Sequence, residues 1–167
     1  QAVTELVARA RKANPKLRAY LYTSWLSRNE FPTLEAWRAR TRADLAWWEQ
    51  VVDRVNTTLD GPDVGVVPGA QILAEVTHAI EQGRVPGLDT ADALFSDDVH
   101  FSHLGAYVIA LAHYAVVFRD DPRGLPSATL VEGGQPASVV PSDETAKALQ
   151  TLVWNYLEGY PRAAIKR

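Results

Sequence analysis

The stretch Phe95-Ser96-Asp97-Asp98-Val99-His100-Phe101-Ser102-His103-Leu104-Gly105-Ala106-Tyr107 decides how the rest of the chain is interpreted. It holds two carboxylates and two imidazoles. Ser102 is suited to cap a helix, because its hydroxyl can accept a hydrogen bond from a free amide of the first turn. Apolar residues then recur on one helical face, at Leu104, Tyr107, Val108, Leu111, Ala115 and Val116. The sequence therefore predicts a loop rich in titratable groups directly before a buried helix.

Within this loop, Asp97 and His100 have a spacing that suits acid–base chemistry. A histidine that acts as a general base must be held in one tautomer, and a carboxylate three positions earlier can accept from the ring nitrogen that faces away from the substrate. The same residue types are common at helix starts and in loops, so the spacing alone leaves both interpretations open. Asp98 is interpreted as a residue that is solvated or favoured by the helix dipole N-terminal to the helix, His103 as a surface or packing residue, and His113 as a satisfied histidine of the core or its rim.

Several segments resemble the SGNH (GDSL-like) hydrolase superfamily. The run from Asp97 through Gly105 to Phe118 is similar to its last conserved block, in which an Asp-x-x-His supplies two members of a Ser-His-Asp triad before a glycine-containing helix. Further segments are similar to one bacterial branch of that superfamily: Leu21-Tyr22-Thr23-Ser24-Trp25, Val64-Gly65-Val66-Val67-Pro68-Gly69, Gly124-Leu125-Pro126, Leu149-Gln150 and Trp154. The resemblance implies an α/β fold with a three-layer α/β/α, flavodoxin-like parallel sheet.

The resemblance also implies a function. It predicts a serine esterase that hydrolyses or transfers an O-acyl group of a carbohydrate-like or small ester substrate, with His100 as the general base and Asp97 as its orienting acid. This chemistry requires neither a metal nor an organic cofactor. The alternative is an inactive SGNH-like module that has lost its nucleophile and uses the old cleft to bind a glycan or a protein partner.

The chain lacks the family's serine block. Gly-Asp-Ser, Gly-Asn-Ser and Gly-x-Asn-Asp do not occur, and Gln1 to Val7 already resemble a helix late in that fold. We therefore expect the chain, which does not begin with methionine, to be the C-terminal part of a hydrolase whose N-terminal half is a separate chain, a cleaved segment or outside this sequence. If the chain were complete, the candidate nucleophiles would be four serines that lack a nucleophile-type turn with glycine neighbours: Ser24, Ser27, Ser96 and Ser102.

Composition narrows the classes of protein and partner. The 167 residues are 47% apolar and 22% charged, which predicts one globular domain over residues 1–167. A net charge of −3 without a basic stripe argues against nucleic acid and anionic membranes as partners, and no apolar run approaches the roughly 18 residues of a membrane span. The absence of cysteine excludes disulfides and thiolate catalysis. The compartment stays open, although the resemblance favours a secreted or periplasmic location.

Helix and strand patterns alternate along the chain, as expected for a parallel sheet. The predicted elements, in order, are a helix over Ala2–Ala13, a strand over Leu17–Thr23, a helix from Leu34 to about Leu59, a buried strand over Val64–Val67, a helix over Ala70–Gln82, a loop over Arg84–Ser96, and the helix that ends near Phe118. A wrapping loop over 119–141, with a short edge strand at Ala128–Val131, and a C-terminal helix over 142–160 complete the chain.

Two tryptophans are candidates for contacts outside the core. Trp25 follows a predicted strand, where open α/β folds place their ligand-binding loops, so it is a candidate wall of the substrate site; the alternative is a tryptophan that closes the core. Trp47 lies beside Trp48 and must point away from the apolar helix face. It indicates either an interface with a missing half or second subunit, or a partly covered surface aromatic.

Overall fold

Two short parallel strands form the centre of the molecule. In the computed structural model, which describes residues 1–128, 134–135, 137 and 139–165, strand β1 (Tyr20–Tyr22) pairs with strand β2 (Gly65–Val67), with Leu21 opposite Val66. All residues of β2 are buried, as its unbroken apolar sequence predicts. Those of β1 are half-buried. The predicted strand Leu17–Thr23 is longer than the paired one, because β2 offers only three partner residues.

In the part of the chain that the structure describes, five α-helices surround these strands, and they match the predicted helices to within about two residues at each end. Their bounds are Ala2–Ala13 (α1), Leu34–Thr58 (α2), Gly69–Glu81 (α3), His103–Phe118 (α4) and Asp143–Glu158 (α5). Short 3₁₀ turns span Arg28–Glu30, Ala91–Leu94 and Pro161–Ala163. The segment predicted as a loop over Arg84–Ser96 therefore contains one helical turn. The chain is a mixed α/β protein, as predicted, but it is mostly helical, at 59%, and the described residues form one two-stranded sheet.

Side-chain caps fix where three of the helices begin. The hydroxyl of Thr33 accepts from Ala36 N at 3.1 Å at the start of α2, and that of Ser102 accepts from Gly105 N at 3.2 Å at the start of α4. Ser142 plays the same role for α5. Each cap satisfies an amide that the first helical turn leaves without a partner. The predicted cap at Ser102 is confirmed.

Helices lie against both faces of the strand pair. Leu21 faces a groove lined by the start of α1 and the second half of α2, whereas the ring of its neighbour Tyr22 lies 4.9 Å from that of His113 in α4. This is the alternation expected of successive residues in a strand. Most of the buried apolar side chains of the described residues form one cluster, whose fully buried members include Trp37, Val66, Leu73, Val108 and Leu149.

Buried polar side chains hold the ends of these elements together. At the end of β1, the hydroxyl of Thr23 donates to Gln71 Oε1 at 2.8 Å and accepts from Ala70 N at 3.2 Å. Gln71 in turn donates to the carbonyl of Thr41 at 2.8 Å. Since buried polar groups destabilise a protein unless they are hydrogen-bonded, this chain of contacts fixes the end of β1 against α2 and α3.

Gln150 of α5 holds the start of the wrapping loop predicted over 119–141. Its amide nitrogen donates to the carbonyl of Leu125 and to the hydroxyl of Tyr107, both at 2.8 Å, and its oxygen accepts from Gly124 N at 2.9 Å. The edge strand predicted at Ala128–Val131 lies, apart from Ala128, outside the described residues. None of the helices described here combines the length and the hydrophobicity that crossing a membrane requires.

Candidate functional site

The loop between the turn Ala91–Leu94 and helix α4 forms a narrow bend that presents Asp97 and His100. At the base of the bend, Phe95 and Phe101 form an isolated antiparallel bridge, and Ser96 N donates to the carbonyl of His100 at 2.9 Å. These backbone contacts bring the two ends of a five-residue segment together. The side chains between them therefore project from one short, closed turn.

Asp97 accepts three hydrogen bonds within this turn. Its Oδ1 accepts from His100 N at 2.6 Å and from Val99 N at 2.8 Å, and its Oδ2 lies 2.7 Å from His100 Nδ1. The backbone amide of His100, then that of Val99, and then the His100 ring lower the pKa of the Asp97 carboxyl to about 2. Asp97 is therefore ionised at neutral pH and serves as an acceptor for the ring.

This contact fixes the tautomer of His100. Because a carboxylate can only accept, Nδ1 of the neutral ring carries the hydrogen, and Nε2 is left with a lone pair. The His100 side chain is 77% exposed, and among the described residues Nε2 has no hydrogen-bond partner. Chemically, the pair is an oriented proton acceptor that faces solvent.

The segment after β1 holds this turn from the other side. Trp25 Nε1 donates to the carbonyl of Val99 at 3.0 Å, and its ring centre lies 4.6 Å from that of Phe101. Trp25 is half-buried and packs against the core. The structure thus places Trp25 against the residue that precedes His100, and the side chain also closes part of the core.

Arg28 is the residue in this region that the sequence patterns missed. Its backbone N donates to the carbonyl of Asp98 at 2.9 Å, and its guanidinium donates to the carbonyl of Asp97 at 2.9 Å and pairs with Asp92. The guanidinium carbon also lies 4.1 Å from the centre of the Phe95 ring. A single arginine in a polar turn is not part of any recognisable sequence pattern. Its contacts with Asp97 and Asp98 could therefore not be predicted from the sequence.

The candidate serines do not contact the imidazole of His100 in the described part of the chain. Three of them donate to other oxygens: Ser27 to the Asp98 carboxylate, Ser96 to the His100 carbonyl at 3.3 Å, and Ser102 to the Ala93 carbonyl at 2.6 Å. Ser24 has no hydrogen bond to a described residue. The arrangement therefore contains an imidazole oriented by a carboxylate, and no hydroxyl of a described residue is hydrogen-bonded to that imidazole.

The other polar residues of this region have local roles. Asp98 accepts from the Ser27 hydroxyl, so it is paired rather than simply solvated. His103 is the first residue of α4, as predicted. His113 donates from Nδ1 to the carbonyl of Ile109 at 2.9 Å, which agrees with its interpretation as a satisfied histidine. Among the described residues, no cluster of three His, Asp or Glu side chains is arranged to hold a metal ion.

Comparisons of the chain with models of protein families, with curated proteins and with solved structures gave no match. The chemistry of the site therefore rests on the contacts described above.

Proposed function

We propose that the protein is an ester hydrolase of the SGNH type in which His100 is the general base and Asp97 its orienting acid. The observation that supports this proposal is the 2.7 Å contact between Asp97 Oδ2 and His100 Nδ1, in a turn that leaves Nε2 of the ring open to solvent. A base needs a fixed tautomer, a nearby anion to stabilise its charged form, and access to the reacting hydroxyl. The first two are supplied by Asp97.

In the proposed reaction, His100 Nε2 removes the proton of a serine hydroxyl as its oxygen attacks the carbonyl carbon of the ester. The imidazolium that forms is stabilised by the ionised Asp97 carboxylate. The imidazolium then gives its proton to the departing alkoxide, which leaves as an alcohol. The acyl group remains bound to the serine as an acyl-enzyme. Water, deprotonated by the same Nε2, attacks the acyl carbon; the bond to the serine oxygen breaks, that oxygen takes the proton back from the imidazolium, and the carboxylic acid is released. An acceptor alcohol in place of water would give acyl transfer.

The serine of this reaction is supplied by protein outside this sequence, in keeping with the absence of a Gly-Asp-Ser or Gly-Asn-Ser element. In this proposal the chain contributes the last strands and helices of a three-layer, flavodoxin-like sheet. The half-buried state of β1, and the helices against both faces of the strand pair, support a sheet that continues beyond β1.

The test replaces His100, Asp97 and a control histidine one at a time. In a protein that contains both this chain and the segment proposed to supply the serine, His100→Ala is expected to lower kcat/KM for an aryl acetate by several powers of ten, while the fold is unchanged because the side chain is exposed. Asp97→Asn is expected to lower it by a similar or smaller factor, since the ring then loses its anionic anchor. His78→Ala, a histidine of α3 away from the turn, serves as the control. A His100→Ala protein with unchanged activity would exclude the proposed role.

Covalent labelling separates this function from the alternative, an SGNH-like module that binds a glycan or protein partner without catalysis. The alternative is favoured by the lack of a described serine bonded to His100. A fluorophosphonate labels only an activated serine. In a protein that contains both this chain and the segment proposed to supply the serine, labelling that depends on His100 supports the hydrolase, whereas absence of labelling together with absence of turnover supports the binding module.

A further inference from the structure

A cleft beside the His100 turn combines aromatic and polar side chains. It lies between the segment that follows β1 and the first half of α2, and it has a volume of about 340 Å³. Its walls are Ser24, Trp25, Leu26, Arg40, Asp44, Trp47 and Trp48. This volume is at the lower end of the roughly 300–1,000 Å³ of small-molecule sites, so the cleft, which we call the tryptophan cleft, suits one ring rather than an extended chain.

The aromatic walls of the tryptophan cleft are held in place but left partly uncovered. The Trp25 ring is oriented by its bond to the Val99 carbonyl and by Phe101, so its indole N–H is already used. Trp47 is 57% exposed, and its ring meets that of Trp48 at 4.6 Å in an edge arrangement. A large apolar ring left in water is a common feature of binding surfaces. The walls therefore offer apolar faces of fixed orientation.

The polar wall offers donors and an acceptor side by side. Arg40 Nε donates to Asp44 Oδ1 at 2.7 Å, and among the described residues neither side chain has another hydrogen-bond partner. The remaining guanidinium N–H groups and the second carboxylate oxygen are therefore available together. Adjacent hydroxyl groups match this pattern, because each hydroxyl both donates and accepts. The charges of Arg40 and Asp44 cancel, which favours a neutral ligand over a phosphate or a carboxylate.

We propose that the tryptophan cleft binds a neutral sugar ring. The apolar C–H face of a pyranose would pack on Trp25 and Trp47, and its hydroxyls would bond to Arg40 and Asp44. This inference deepens the proposed function and rests on it in one respect: the contact of Trp25 with the residue before His100 would bring an O-acyl group on the bound sugar toward the imidazole.

The test measures binding of xylotriose and of chitotriose by calorimetry, without reference to catalysis. The unaltered protein is expected to bind at least one of them, and Trp47→Ala and Asp44→Ala are each expected to weaken that binding by about tenfold or more. Trp47→Phe should restore part of it, since an aromatic face returns. Phe118→Ala removes an aromatic residue that is 67% exposed but outside the cleft, and it should leave binding unchanged.

Two outcomes overturn the inference: binding of neither sugar by the unaltered protein, or equal binding by the Trp47→Ala protein. If Trp47→Ala instead abolishes self-association of a protein that binds no sugar, the cleft is a protein interface. His100→Ala distinguishes this inference from the proposed function, because sugar binding should persist in that variant. In a protein that also contains the segment proposed to supply the serine, sugar binding without turnover of aryl acetate would support the cleft and exclude the hydrolase.

Discussion

Strand β2 is covered on both faces and lies inside the core, with Val66 and Val67 at most 1% exposed, whereas every residue of β1 is half-buried. A groove of about 750 Å³, lined by the start of α1, by Leu21 and by Trp47 and Trp48 of α2, lies beside β1. The residues of the candidate site follow β1 or contact the segment after it: Trp25 comes directly after this strand, and it contacts the turn that carries Asp97 and His100. The difference predicts that the β2 side contributes more to stability, whereas the β1 side carries the residues that we propose to contact other molecules.

The largest loss of stability is expected from adding a Cβ atom to a buried glycine. A Cβ on Gly105 would lie 2.1 Å from the backbone carbonyl oxygen of Leu94, which cannot rotate away. A Cβ on Gly69 would lie 2.2 Å from a ring carbon of Tyr22, a side chain of the half-buried strand β1. We expect Gly105→Ala to lower the free energy of unfolding by about 3 kcal/mol, and Gly69→Ala by about 1 kcal/mol, in urea titrations.

Equal losses for Gly105→Ala and Gly69→Ala would show that the Tyr22 ring, which packs on His113 of α4, is held as firmly as the backbone at Leu94. A larger loss for Gly69→Ala would show that the ring is held more firmly than that backbone.

A smaller loss of stability is expected from truncating either of two residues that lie opposite each other in the sheet. Val66→Ala removes two methyl groups from a fully buried position of β2, and we expect a loss of about 2 kcal/mol. Leu21→Ala removes more atoms, but from a half-buried position that borders the open groove, and we expect about 1 kcal/mol. Thermal or urea unfolding of both variants measures the difference. A greater loss for Leu21→Ala would show that β1 is covered in solution.

The smallest change in stability is expected from the charge of Asp97, and it should depend on pH. The folded-state pKa of Asp97, about 2, is below the ordinary value of 3.8, so its ionised form stabilises the fold. This contribution is complete above about pH 4 and is lost as the pH falls through about 2. The unaltered protein should therefore be more stable than Asp97→Asn at pH 5, and the two should converge as the pH approaches 2.

Urea titrations of both proteins over that range measure the convergence. A difference between the two proteins that does not change with pH would contradict the role given to the Asp97 charge.

The features that the sequence predicted well are local ones. Asp97 and His100 are three residues apart in one turn, so their contact needs no knowledge of the rest of the fold. The cap at Ser102 depends on the hydroxyl and on amides of the same turn. The helices follow from apolar periodicity and from breakers such as Gly83, which has the positive φ of 66° that glycine adopts most easily after a helix. The catalytic role of His100 remains a prediction.

The features that the sequence did not predict join residues that are far apart in the chain. Arg28 contacts Asp97 and Asp98 about 70 residues away, and nothing in the residue pattern of a 3₁₀ turn indicates that partner. Gln150 was identified only as part of a resembling segment, yet it bonds to Tyr107 and to the loop at Gly124 and Leu125. Side-chain amides and guanidinium groups can bond to any exposed carbonyl, so only the three-dimensional arrangement selects which one.

The contacts of Arg28 and Trp25 have a consequence for how this chain can diverge. Both residues bond to backbone carbonyls of the turn, at Asp97, Asp98 and Val99, and not to the side chains of Asp98 and Val99. The side chain at position 99 can therefore change without altering the path of the backbone that carries His100, whereas the side chain of Asp98 also accepts from the Ser27 hydroxyl. Substitution at position 99 would alter the surroundings of the imidazole while its orientation is kept.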